Sequence, residues 1–195
     1  MSRALIRIST TLVAVTVCVL ASRPLLAGND LKRTVEFLGF TETGDKYLLK
    51  IMDANIGDFF SLRAFDTGKQ VKSFPIENPK EEKKLLEETK KAFKITDKGT
   101  EGQTSPDERY NILGVPKGDK FQINITRGER SAKFKTIDLA SNAAGPAKAM
   151  LKNVHWSKDC KRIVLIIHQT LVDENGIDAD EARPFDFLVG GLNFK

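Results

Sequence analysis

Short stretches rich in strand-forming residues, separated by polar turns, dominate the chain from residue 34 to residue 74. In the first stretch Val35 and Phe37 alternate with polar neighbours, as in a strand with one buried face. Gly44 and Gly68 lie in two of the turns, where glycine's freedom at positive φ suits a tight reversal. The pattern predicts an antiparallel meander of four strands. These strands are residues 34–40, 47–52, 59–65 and 70–74.

The pattern changes at Asn78, which begins a charged segment with helical periodicity. Asn78 suits a helix cap, Pro79 suits the first helical position, and Glu81 can reach back to the cap. This segment predicts a long helix over residues 79–94, packed on the sheet by one narrow apolar stripe. A coiled-coil-like helix is the alternative, but the segment is too short for several heptads. The stripe consists of Leu85, Leu86, Thr89 and Phe93.

Strand patterns return in the second half of the chain. Residues 121–126 alternate apolar and polar side chains without a break, and residues 132–139 return, which predicts a hairpin with one buried face. The apolar run at residues 163–167 is typical of a central strand buried on both faces. Between these segments the chain is rich in alanine, and any helix there would begin near Pro146.

These elements predict one α+β domain over residues 28–195. We expect a mainly antiparallel sheet of hairpins, with the one long helix packed on a face.

The first 27 residues have the pattern of a secretory signal peptide. Two arginines precede an apolar run at residues 12–21, and Ala27 provides a small residue for cleavage, with Ala21 as an alternative. The run is roughly half of the ~20 residues that a membrane span needs. We therefore predict export to the periplasm or the extracellular space, with residues 1–27 removed.

Removal of this leader changes the charge balance. The whole chain has 31 basic and 26 acidic side chains, and the leader contains three arginines and no acid, which leaves 28 basic and 26 acidic groups, a net charge of +2. A nucleic-acid partner normally requires a concentrated basic face, so none is expected. No other apolar run is long enough to span a bilayer, so we expect no membrane span after cleavage.

Cys160 is the single cysteine outside the leader, because Cys18 lies within it. An exported chain with one cysteine forms no internal disulfide, so its stability has to come from the core. The sequence leaves open whether Cys160 pairs with another chain, and it leaves the oligomeric state open.

Two stretches of the chain align without gaps, residues 40–49 and residues 156–165. Each has an aromatic residue, a hydroxyl residue, a polar turn, a basic residue and an apolar strand. An imperfect copy lies between them, so that the three copies in chain order are residues 40–49, 105–110 and 156–165. In this pattern the hydroxyl and the acid bond the amides of the turn while the strand enters the sheet.

The repeated stretch resembles the blade hairpin of WD40-like and TolB-like β-propellers, in which Phe-Ser-Pro-Asp-Gly-Lys precedes an apolar strand. A full propeller is not expected, because four blades of ~40 residues would need nearly the whole mature chain.

The order of elements is similar to that of a family of predicted secreted bacterial proteins of unknown function. The resemblance implies a leader, a blade-like meander, a charged helix, a long hairpin, a second blade-like strand and an acidic loop. It implies an architecture and a location, and no activity. It covers residues 37–74, 81–93, 121–139 and 154–187.

An acidic stretch at residues 172–184, which we expect to be a loop, is the best candidate for metal binding. Several hard oxygen donors beside Gly176 suit calcium, although the glycine comes too early for an EF-hand loop. The alternative is a solvated acidic loop, and no other cofactor is expected. The candidate ligands are Asp173, Asn175, Asp178, Asp180 and Glu181.

No set of residues forms a catalytic signature. His155, His168 and Cys160 are spaced too irregularly for a zinc site, and Ser157 lacks a nucleophile-elbow glycine pattern. The leading hypothesis is an exported, non-enzymatic protein that binds a protein or an envelope component, with residues 70–74 as an exposed edge strand. A calcium-stabilised module is one alternative. The other is an enzyme assembled from Asp159, His155 and the acidic loop.

Overall fold

The computed structural model describes residues 31–142, 145–171 and 176–195. The signal-peptide prediction for residues 1–27 lies outside the described residues. Strands account for 60% of the described structure, and its one helix is not long and apolar enough to cross a membrane. In chain order the elements are β1 (Leu31–Thr41), β2 (Lys46–Asp53), β3 (Gly57–Ala64), β4 (Gln70–Pro75), α1 (Glu82–Ala92), β5 (Ile95–Asp97), β6 (Thr100–Glu101), β7 (Asn111–Lys117), β8 (Lys120–Arg127), β9 (Arg130–Asp138), β10 (Ser141–Asn142), β11 (Gly145–Pro146), β12 (Lys148–Trp156), β13 (Arg162–Leu171) and β14 (Ile177–Asp186).

Nine of the strands form one sheet in the order β4-β3-β2-β1-β14-β13-β12-β6, with β5 paired to β1. The predicted meander is confirmed, because β1, β2, β3 and β4 pair antiparallel in sequence. A parallel pairing of β1 with β14 joins this meander to the C-terminal strands. Strands β7, β8 and β9 form a separate three-stranded sheet, and β10 and β11 form a short ribbon.

The predicted α+β fold with a long helix is wrong. The structure is mostly β, and its helix α1 has 11 residues, Glu82–Ala92, instead of the predicted span 79–94. Asn78 does not cap the helix, because its Oδ1 accepts a hydrogen bond from the Lys80 amide in a preceding turn. The helix ends early because Lys94 adopts a φ of +50° and directs the chain into β5. The strands of the meander and the hairpin of β13 and β14 belong to one sheet, which does not close into a propeller, while the hairpin of β8 and β9 lies in the separate three-stranded sheet.

Two further segments differ from their predictions. The alanine-rich region near Pro146 contains no helix in its described part, because residues from Lys148 onward pair with β13 as strand β12. The acidic stretch is also not a loop from Ile177 onward, because β14 pairs along all ten of its residues with β13. In both cases pairing within the sheet overrides local composition.

Three apolar clusters show how the layers are stacked. On one face of β2 and β3, Leu48 and Phe60 pack against Leu85 of α1. On the other face, Leu49 of β2 packs in a cluster with Val164 of β13. β2 therefore lies between the helix and β13.

Strand β13 in turn separates the cluster of Leu49 and Val164 from the third cluster, which it forms with the three-stranded sheet. Ile163, Leu165 and Ile167 point away from β2 and pack with Phe121 and Ile123 of β8. The prediction that residues 163–167 are buried on both faces is confirmed, as is the alternation of β8. Complete burial of one such side chain contributes about 1.5–3 kcal/mol, so these layers are the main source of stability.

The internal repeat predicted from the sequence is one turn built three times. In each copy a hydroxyl oxygen accepts a hydrogen bond from the amide five residues later, and it donates to an aspartate within the turn. The oxygen-to-amide distances are 3.1 Å for Thr41 and Lys46, 3.0 Å for Ser105 and Tyr110, and 3.0 Å for Ser157 and Arg162.

In each copy, the residue three positions after the hydroxyl residue has the same left-handed backbone. Gly44, Glu108 and Cys160 have φ values of +69°, +57° and +55°. Only glycine adopts this conformation without strain. The two non-glycine copies are stabilised by the same hydroxyl–amide bond, so the turn geometry does not depend on glycine alone.

Candidate functional site

The candidate calcium ligands are divided between described and undescribed parts of the chain. Asp173 and Asn175 lie outside the described residues. Asp178, Asp180 and Glu181 lie on β14, where neighbouring side chains point to opposite faces. Asp180 and Glu181 therefore do not converge on one ion. No group of three or more His, Cys, Asp or Glu side chains in the described ranges is placed to hold a metal ion.

Asp180 is a buried carboxylate that connects four strands. Its side chain is 1% exposed. Its Oδ2 accepts hydrogen bonds from the Val35 amide of β1 at 3.0 Å and from Lys152 Nζ of β12 at 2.6 Å. Its Oδ1 lies 3.0 Å from Nδ1 of His168 on β13. These partners occupy both oxygens, so Asp180 has a structural role in this arrangement.

His168 connects this carboxylate to two further groups. Its Nε2 lies 3.2 Å from Thr170 Oγ1 and 3.4 Å from Asp178 Oδ1. The spacing of His168 from His155 and Cys160 along the chain does not indicate this cluster, because its partners lie on other strands or on the opposite side of a hairpin. The signal that reveals it is the hairpin register, which pairs His168 directly with Asp180.

The residues of the enzyme hypothesis do not form a shared site in the described structure. His155 is 6% exposed and stacks on Phe37, with the ring centroids 4.5 Å apart. Burial lowers the pKa of His155 to about 4. Asp159 instead bonds the Ser157 hydroxyl at 2.6 Å and the Lys161 amide at 3.1 Å. No hydrogen bond or ion pair in the described part of the chain joins His155, Asp159 and Asp180.

Cys160 is a free, half-buried thiol in the third copy of the turn. Burial and the nearby Asp107 raise its pKa, which keeps the thiol protonated at neutral pH. A reactive cysteine needs the opposite electrostatic surroundings. The environment of Cys160 thus does not activate it as a nucleophile.

Strand β4 is at the end of the nine-stranded sheet, as predicted for residues 70–74. Its side chains are largely exposed, and Val71, at 53% exposure, is an extra residue that shifts the register with β3. Several features of β4 discourage a second chain from pairing with this edge. They are the bulge, Lys72, Pro75 and the short length of six residues. The geometry of β4 therefore disfavours strand addition.

A cleft of about 610 Å³ lies between the first and third copies of the turn. This volume is within the range of small-molecule sites, roughly 300–1,000 Å³. The first turn, β5 and the third turn supply its walls. The lining residues are Phe40, Thr41, Glu42, Gly44, Thr96, Asp97, Ser157, Lys158, Asp159 and Arg162.

Strand β5 holds the two turns in position. It pairs with the end of β1 through Phe40 and Asp97. The Asp97 side chain accepts hydrogen bonds from the amide of Lys158 at 2.8 Å and from the amide of Gly99 at 2.9 Å. One carboxylate thus fixes the third turn relative to β5 and, through it, to the first turn.

Arg162 is one of the residues that line this cleft. Its guanidinium lies over the ring of Phe65, with Cζ 5.7 Å from the centroid. It also covers Gly44 so closely that a Cβ at that position would overlap Nη1. Glycine at position 44 thus avoids both the strain of a positive φ and an overlap with Arg162.

No family model, curated protein or solved structure matches this chain. The resemblance to a secreted bacterial family and to propeller blades consequently stays a prediction from the sequence.

Proposed function

We propose that this chain is an exported, non-enzymatic protein that binds a protein or an envelope component in the cleft between its first and third turns. The observation that carries the proposal is the cleft itself, a concave space of about 610 Å³ with charged groups at its walls. Such concave sites with a few fixed polar groups are where proteins most often hold ligands.

The hydroxyl groups in the cleft favour binding over catalysis. Thr41 Oγ1 and Ser157 Oγ each accept the amide hydrogen bond that closes their own turn. Each also donates to an aspartate, Asp45 or Asp159. A nucleophilic hydroxyl needs a base that removes its proton. Among the described residues neither hydroxyl is hydrogen-bonded to an imidazole, and the aspartate that each one contacts belongs to the same turn, so both hydroxyls stabilise the backbone.

The export part of the proposal rests on residues 1–27. A basic start, an apolar run of about ten residues and a small residue at Ala27 support removal of this segment during secretion. A folded domain released in this way would present the cleft to the periplasm or the extracellular space.

Site-directed photocrosslinking in bacterial cells tests the proposal. A photoreactive amino acid at Glu42, which lines the cleft, is expected to give an adduct of defined mass with one partner. The same residue at Lys117, an exposed position on β7, is the control and should not give that adduct. Thr96→Trp should fill the cleft and remove the adduct, because Thr96 is an exposed wall residue. An adduct that persists with Thr96→Trp, or no adduct from Glu42, would overturn the proposal.

A further inference from the structure

We infer that the cleft recognises an anionic group of its ligand, a carboxylate or a phosphate, through the guanidinium of Arg162. This inference rests on the proposed function and adds the chemistry of the group that is bound.

The backbone of Arg162 is fixed before any ligand arrives. Its amide donates to Ser157 Oγ at 3.0 Å, and its carbonyl accepts from the Ser157 amide at 2.9 Å. The side chain then packs between the ring of Phe65 and the backbone of Gly44. A guanidinium held between a ring and a glycine loses little conformational freedom on binding, so the site is preorganised.

Among the described residues, no carboxylate forms an ion pair with this guanidinium. Arg162 makes no side-chain hydrogen bond or ion pair with any residue in the described ranges, although the negative charge of Asp159 is close enough to interact with it. Its side chain contacts the ring of Phe65 and Gly44. A half-buried guanidinium has five N–H donors and favours bidentate pairing with a carboxylate or a phosphate. An anion supplied by a ligand would complete this pairing.

None of the acids that line the cleft forms an ion pair with Arg162, and each has other partners. Asp97 accepts hydrogen bonds from two backbone amides. Asp159 is bonded to the hydroxyl of Ser157 and the amide of Lys161. Glu42 pairs with Lys94, with 3.7 Å between Oε2 and Nζ.

Lys158 adds a second positive charge at the cleft wall. Its amide is held by Asp97, and its side chain makes no ion pair with any described residue. One fixed guanidinium with one nearby ammonium is a suitable combination for a single oxyanion group, because the first orients it and the second adds charge.

Titration of the isotopically labelled protein with inorganic phosphate and with succinate tests this inference. Both titrations are made at constant ionic strength, with sodium chloride as the reference salt, and followed by NMR at the Arg162 Nε–H and the Gly44 amide. We expect saturable shifts with phosphate, succinate or both, in the millimolar range typical of an isolated anion (about 1 mM corresponds to −4.1 kcal/mol). A response to phosphate alone assigns a phosphorylated ligand, and a response to succinate alone assigns a carboxylate.

Three variants connect the response to Arg162. Arg162→Gln should weaken the apparent affinity about tenfold or more, and Arg162→Lys should retain part of it, because a lysine keeps the charge and loses the bidentate geometry. Lys161→Gln is the matched control, since it removes the same charge one residue away, at a side chain that does not line the cleft. It should titrate like the original protein.

The outcomes separate this inference from the proposed function. Linear shifts equal to those in sodium chloride, or equal responses of Arg162→Gln and Lys161→Gln, would overturn the anion site. If Thr96→Trp still removed the crosslinked adduct, the cleft would remain a binding site for a neutral group. Saturable titration without any adduct would instead support the anion site and contradict a macromolecular partner.

Discussion

Asp180 and His168 face each other across the hairpin of β13 and β14, with 3.0 Å between Oδ1 and Nδ1. The pair lies where β1 separates from β14, and the Val35 amide of β1 donates a hydrogen bond to Asp180. This contact ties the meander to the C-terminal strands at a point where the ladder between β1 and β14 has ended. It predicts that stability depends strongly on a single carboxylate.

Asp180→Asn should lower the free energy of unfolding by about 2–4 kcal/mol, because it leaves Lys152 and His168 facing a neutral amide in a buried position. Urea denaturation measures the loss. The matched control is Asp178→Asn, whose side chain is 61% exposed and contacts the same imidazole. Its effect should stay below about 1 kcal/mol. Equal losses in the two variants would contradict the structural role of Asp180.

His155 predicts a pH-dependent loss of stability in mild acid. Burial lowers its pKa to about 4, while an unfolded histidine titrates near 6.5. Between these values the unfolded state binds a proton that the folded state does not, so stability falls as the pH decreases from about 6.5 to about 4. The full effect is about 3 kcal/mol.

His155→Phe isolates this contribution, because phenylalanine keeps the stacking on Phe37 and does not titrate. The difference in unfolding free energy between the variant and the original protein should grow as the pH falls through this window. A difference independent of pH would show that His155 does not carry the effect.

Gly44→Ala should separate backbone strain from the position of Arg162. Its φ of +69° is close to the +58° of Gly128, where an added Cβ would have no neighbour within 4 Å. Gly44→Ala and the control Gly128→Ala should each lose about 1–2 kcal/mol of stability, because alanine is strained in the left-handed backbone. Only Gly44→Ala should also remove the NMR response to phosphate or succinate. Its new Cβ would overlap the guanidinium of Arg162 and displace it from its position. An unchanged anion response in Gly44→Ala would contradict the proposed position of the binding group.

The mature protein should begin at Gly28, or at Ser22 if the alternative site after Ala21 is used. Expression of the full chain in bacteria, fractionation and intact-mass measurement of the periplasmic protein test this directly. Ala27→Lys should block the first cleavage site, because signal peptidases require a small residue there. A cytosolic protein that retains Met1 would contradict the export proposal.

The sequence predicted those elements whose pattern of apolar and polar residues is compatible with only one arrangement of buried and exposed faces. The alternation of Phe121, Ile123 and Ile125 and the unbroken run at residues 163–167 both specify their burial, and both are confirmed. The helix start was wrong because Asn78 can either cap a helix or close a turn, and it does the latter.

The candidate sites also contain some features that the sequence predicts and others that it does not. The repeated turns were visible in the sequence because their bonds are local. Other contacts depend on pairing between strands that are distant in the chain. Examples are the contact of Arg162 with Gly44 and that of Asp180 with Val35. Local patterns do not encode such pairings, so neither the cleft nor the buried carboxylate could be predicted.

The parallel pairing of β1 with β14 also determines when the fold can be completed. Val35 and Asp180 are 145 positions apart, so the contact closes a loop that contains nearly the whole described chain. Contacts of this separation form slowly, since a large loss of chain entropy precedes the gain from the contact. A nascent chain that still lacks β14 has an unpaired inner edge at β1 and cannot finish its central ladder. The sheet can therefore be completed only after β14 has been synthesised, and until then β1 lacks one of its neighbours.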